Sequence, residues 1–213
     1  MKVAALLLSV AAVFGGAEPD FLRWDAKRAS TVGLAMRVNG EVGRNFDFRI
    51  VNTDRSINYK LRATWMTPEA IRACARLEQL NKGLSDAATL RLVTEAERAG
   101  DIVILVEIDP REGSGVIPRD WTAILSARPR PGIAPRVSRG TSVTALREMP
   151  ALHGFGRRDY AYELFWVVFS LKADDGESLF RNDPEAELLV RIYEKVGRVH
   201  WSIPDSIRTI TGK

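Results

Sequence analysis

Residues 160–171 read YAYELFWVVFSL. Extended, this stretch sends Tyr160, Tyr162, Leu164, Trp166 and Val168 to one side and Ala161, Phe165, Val167, Phe169 and Leu171 to the other, because side chains alternate along a strand. Glu163 is its one charge. A run apolar on both sides belongs in the middle of a sheet that is covered above and below. The fold is expected to assemble around it.

Residues 102–108, IVILVEI, form a second run apolar on both faces. Upstream, the alternation of Val32, Leu34, Met36 and Val38 predicts a strand over 31–38, and Asn39-Gly40 is a strong hairpin signal because both positions tolerate positive φ. Phe46, Phe48 and Ile50 predict the next strand. Ile57, Tyr59, Leu61, Ala63 and Trp65 predict a half-buried third one.

The period changes at Thr67-Pro68, an N-cap followed by proline at the first helical position. A helix over 68–82 ends at Gly83. A second helix, capped by Ser85 or Asp86, runs to about residue 99, with Gly100 expected in the left-handed conformation. The two form a helical hairpin inserted between strands at about 67–100.

Beyond residue 108 the expected order is a loop over 109–120, a short strand over 121–127 and an irregular segment over 128–140. The apolar run 160–171 and an acidic connection over 173–186 follow. A final hairpin pairs Leu188, Val190 and Ile192 with Val199, Trp201 and Ile203 across a turn at 194–197. The fold class is mainly β (α+β), a two-layer antiparallel β-sandwich-like domain of about eight strands carrying a helical hairpin. One domain spans 31–213, preceded by a linker at 18–30.

Lys2, the apolar run 3–14 and the small residues Gly15-Gly16-Ala17 form a secretory signal peptide pattern over 1–17. A run of twelve residues is too short to cross a bilayer, so no integral span is expected after signal removal. Localisation is expected to be periplasmic or extracellular. The single cysteine, Cys74, forms no internal disulfide, so stability rests on the core of a 213-residue chain that is 46% hydrophobic. A net charge of +4 gives no case for nucleic acid.

Polar chemistry concentrates in the 107–120 region, where Glu107, Asp109, Glu112, Ser114 and Asp120 crowd around two glycines. Gly113-Ser114-Gly115 lacks the flanking helix of a nucleophile elbow and the third glycine of a phosphate cradle. His153 and His200 have no partner at ligand spacing, so no metal site and no cofactor is expected. The acids of 173–187 match no calcium loop, although a structural calcium is one use for them. A ligand cavity between the helical hairpin and the sheet, lined by residues such as Tyr59 and Leu92, is a further use of the fold.

The charge distribution is the sharpest functional signal. From Trp121 to Arg147 there is no acid, while Arg128, Arg130, Arg136 and Arg139 fall in a proline-rich segment. No aromatics interleave with them, which argues against base stacking. These residues suit carboxylate or phosphate groups of an anionic envelope component or an acidic protein. The leading expectation is an exported, non-enzymatic binding or scaffolding domain, with no catalytic residue assigned. The alternative is a secreted hydrolase using carboxylates of the 107–120 loop.

Overall fold

The computed structural model describes residues 19–43, 59–110, 116–129, 132, 134–155, 162–180 and 183–211. Residues 1–17 and the strand expected around Phe46, Phe48 and Ile50 lie outside them.

A 3-10 turn at Asp20–Arg23 leads into helix α1 (Ala26–Leu34), capped by Asp25, whose carboxylate accepts from the Arg28 N–H at 2.7 Å. Strand β1 (Arg37–Val42) follows, then β2 (Tyr59–Trp65). Helices α2 (Pro68–Lys82) and α3 (Asp86–Glu97) form the hairpin. Next come β3 (Ile102–Pro110), β4 (Thr122–Ala127), β5 (Val137–Arg139) and β6 (Thr141–Ser142). The chain ends with β7 (Glu163–Phe169), β8 (Glu185–Ile192), β9 (Lys195–Ser202) and helix α4 (Asp205–Thr211). These nine described strands form two antiparallel sheets, ordered β1-β2-β3-β7-β6 and β5-β4-β8-β9. The α+β sandwich-like class is therefore as expected.

The helical hairpin follows its sequence signals closely. The Thr67 hydroxyl accepts from the Ala70 N–H and the Ser85 hydroxyl from the Ala88 N–H, which fixes both N-termini. Gly83 ends α2 at φ 65°. The hairpin leaves at Trp65 and returns at Ile102, and β2 and β3 pair directly, Trp65 opposite Ile104. It therefore covers the outer face of the five-stranded sheet as a third layer.

Four local expectations are corrected. Residues 31–34 are helical, because the Asp25 cap starts a helix whose small residues Ala29 and Gly33 bury it against its surroundings, and packing outweighs the β preference of Thr31 and Val32. Asn39-Gly40 lies inside β1, opposite Arg62 and Leu61, and makes no hairpin. Gly100 does not take the left-handed conformation; it makes room for Val168, whose Cγ1 would sit 2.4 Å from a Cβ there. The last turn falls at Tyr193-Glu194, since Ile192 pairs with Lys195 and Gly197 is inside β9.

The middle of the five-stranded sheet belongs to β3, with β7 one place nearer the edge beside the two-residue β6. Both strands are apolar on two faces for the same reason. Ile104, Val106, Ile108, Val167 and Phe169 join the core between the sheets, while Val103, Leu105 and Trp166 pack under the helices with Ile71, Val93 and Leu152. The inter-sheet core centres on Trp65, which meets Trp201 edge-on at 5.8 Å between ring centroids.

The two sheets also meet at their margins. On one side β5 passes through Gly140 into β6 and so changes sheet. On the other, the Gly43 N–H donates to the Val196 carbonyl, and Trp201 Nε1 donates to the Met36 carbonyl at 2.9 Å. This approach of β1 to β9 needs glycine on both strands: a Cβ at Gly197 would lie 2.5 Å from the Glu41 carbonyl oxygen, and one at Gly40 would lie 2.7 Å from Val199 Cγ1. Gly197→Ala is expected to lower stability by about 1–3 kcal/mol through overpacking against backbone. An unchanged urea midpoint would show that this junction can yield.

Candidate functional site

Strand alternation carries Glu107 and Asp109 to the outer face of β3, beyond the part the helices cover. Glu107 stands in a cross-strand row with Arg62 and Asn39, and Asp109 with Lys60 and Glu41. Both Glu107 oxygens are engaged: Oε2 accepts from Arg37 Nη2 at 3.1 Å and Oε1 from Arg62 Nη1 at 3.5 Å. The Arg62 guanidinium also lies 4.5 Å from the Tyr162 ring centroid. Lys60 Nζ is 3.3 Å from Asp109 Oδ2. The Glu107 side chain is 9% exposed and its two arginines 19% each, so this is a largely desolvated network.

The other members of the carboxylate group do not join it. Asp120 is exposed in the turn before β4, and Glu112 and Ser114 lie outside the described residues. What the structure assembles around Glu107 is an ion-pair network on a sheet face. The sequence pattern does not single out Arg37 and Arg62; the signal was their outward register on β1 and β2, which needs the strand pairing to be seen.

The basic segment is partnered by the acidic connection. Arg128 Nη1 donates to Glu185 Oε2 at 2.5 Å. That hydrogen bond raises the Arg128 guanidinium above its ordinary pKa and lowers the Glu185 carboxyl below its own. Arg136 Nε is 3.1 Å from Asp175 Oδ2, and its Nη1 is 3.7 Å from Glu177 Oε2. Arg139 Nε is 3.5 Å from Asp174 Oδ2. Arg130 lies outside the described residues. Asp174, Asp175, Glu177 and Glu185 thus meet guanidinium groups, and among the described residues no group of three metal-ligating side chains converges.

Arg128 and Arg139 nonetheless stay open to solvent, with side chains 58% and 80% exposed, whereas Arg136 is 21% exposed. They border the outer face of the four-stranded sheet, which no helix covers among the described residues. One cross-strand row there reads Arg139, Ile124, Leu189, Arg198. Arg191, opposite Thr122 and Val196, is exposed and has no ion-pair partner among the described residues. A groove of about 240 Å³ lined by Arg128, Pro129, Asp183, Pro184 and Glu185 opens where β4 ends and β8 begins.

The next row reads Ser126, Glu187, His200. Glu187 lies between the other two, 3.3 Å from Arg198 Nε and 3.6 Å from His200 Nδ1. A hydrolytic triad needs the histidine between hydroxyl and acid. Here serine and histidine are two strand spacings apart, about 9–10 Å, so the row cannot work as one. His153 Nε2 bonds the Arg147 carbonyl at 3.0 Å. Tyr59 points into the inter-sheet core and Leu92 packs on the helical side, so no single cavity is lined by both.

Among the described residues, no helix is long and apolar enough to cross a membrane. No protein-family model matches the chain, and no curated protein or solved structure matches it either.

The two charged regions differ in burial, and so in energetic weight. Glu107→Gln strands two half-buried guanidiniums and is expected to cost about 3 kcal/mol in chemical denaturation. Arg139→Ser, at an exposed pair, should stay within about 0.5 kcal/mol. Cys74 is buried, and desolvation pushes its thiol up to about 12. It should therefore resist thiol reagents at pH 8 in the native protein and react once urea unfolds the chain; fast native labelling would contradict its burial.

Proposed function

We propose that the protein is an exported, non-enzymatic β-rich domain with a binding or scaffolding role at the cell envelope or outside the cell. The basic segment 128–139, with the open face of the four-stranded sheet beside it, is its docking surface for an anionic partner. The observation that carries this reading is the exposure of Arg128 and Arg139 beside Arg191 and Arg198 on one sheet face that no described helix covers. Guanidinium groups held in place by exposed acids keep their fork geometry available for carboxylate or phosphate. Exposed pairs contribute no more than about 1 kcal/mol each, so an incoming anion can exchange with them. Export is supported by the residue pattern of 1–17 alone.

The hydrolase alternative has no comparable support. Both Glu107 oxygens already accept from guanidinium groups, and Asp109 is paired with Lys60. Co-sedimentation with isolated envelope fractions across a salt series tests the docking reading. Binding is expected to fall as salt rises and to drop strongly in Arg128→Ser/Arg139→Ser, a pair of changes that leaves the core intact. Equal sedimentation of both proteins, or of neither, would refute it.

A further inference from the structure

The basic segment already holds a ligand of a kind, a piece of its own chain. Residues 172–178 form a tight hairpin: Lys172 bridges Ser178, the Ala173 N–H donates to the Glu177 carbonyl at 2.8 Å, and Gly176 turns the chain at φ 83°. The hairpin presents Asp175 and Glu177 to Arg136 and Asp174 to Arg139. Its backbone docks as well, since the Asp174 N–H donates to the Val137 carbonyl at 3.0 Å, on the side of β5 that β4 does not occupy. The contact thus combines carboxylates on arginines with a main-chain hydrogen bond at a strand edge, the pattern by which extended peptides add to sheets.

The hairpin is anchored at its base, with Ala173 and Leu179 buried in the core between the sheets and the Ser178 carbonyl accepting from Arg136 Nη1 at 3.4 Å, but its acidic tip is held loosely. Asp174, Asp175 and Glu177 have side chains 53%, 52% and 66% exposed, so each ion pair is a surface pair of small net value. A tethered segment is still an effective competitor, because it acts at a high effective concentration.

We propose that hairpin 172–178 is an internal competitor for the basic segment. On this reading the partner is an acidic protein segment that lies along β5 and presents carboxylates to Arg136 and Arg139 in the hairpin's place. This rests on the reading of segment 128–139 as a docking surface. A peptide is favoured over a phosphate polymer because the Val137 carbonyl takes a donated N–H, which a phosphate chain does not carry.

The test is fluorescence anisotropy of labelled poly-L-glutamate, with polyphosphate as the comparison, at low and at physiological ionic strength. The variant Asp174→Asn/Asp175→Asn/Glu177→Gln is expected to bind poly-L-glutamate about tenfold tighter than the unaltered protein. Adding Arg136→Ser and Arg139→Ser should abolish the gain. Asp174→Asn alone, which removes one exposed pair and leaves the fold in place, should bind about twofold tighter, so the outcome stands even if the triple variant unfolds. A folded variant that binds no better than the unaltered protein overturns the competitor role. An equal or larger gain for polyphosphate overturns the peptide assignment. If poly-L-glutamate binds no variant while envelope fractions still bind through Arg128 and Arg139, this inference fails and the docking surface survives. If neither binds, both fail.

Discussion

Everything in this fold depends on β3 being buried on both faces. Ile102 to Asp109 is buried residue by residue, with β2 and β7 taking its hydrogen bonds on either side. A strand of that kind leaves no face for solvent, so the molecule has to supply two covers. The four-stranded sheet supplies one and the helical hairpin with α1 the other. The hairpin is inserted directly before β3, which places the cover beside the strand that needs it without a long connection.

Where the helical cover ends, the outer face of the sheet turns polar, and the two charged regions of the molecule are built differently in consequence. Glu107 sits on the same strand as the core residues and is nearly as dry, so its charge is bound at both oxygens by Arg37 and Arg62. Such a network specifies register more than it adds stability, since desolvation offsets much of the attraction. Arg37 Nε and Thr64 Oγ1, from residues opposite each other on β1 and β2, are buried without a hydrogen-bond partner among the described residues, which adds to the cost of that polar inlay.

The basic segment and the acidic connection are far apart in sequence yet neutralise one another along the margin of the four-stranded sheet. The overall charge of +4 therefore hides a local balance. Exposed pairs of this sort are weak and salt-sensitive, which suits a surface that exchanges one anionic partner for another better than it suits a structural rivet. Arg136, less exposed than Arg128 and Arg139, is held by the Ser178 carbonyl as well, so its guanidinium stays positioned whichever carboxylate it meets.

Read alone, the chain determined its local elements wherever local chemistry decides them. The Thr67 and Ser85 caps, Pro68 and Gly83 bounded the helical hairpin, and two-sided apolar runs marked β3 and β7, because caps and side-chain alternation act over a few residues. Tertiary structure decided the rest. Which apolar run takes the middle of the sheet depends on what flanks it. Gly40 and Gly197 resemble turn residues in sequence, yet their role is to let β1 approach β9, which no local pattern reveals. Glu107 was visible as a carboxylate among others, but its arginines come from strands 45 and 70 residues away in sequence. The pairing of Arg136 and Arg139 with the acids of 174–177 likewise joins segments that looked like separate solvated loops. Charge complementarity over such distances exists only once the strands have set the register that brings the groups together.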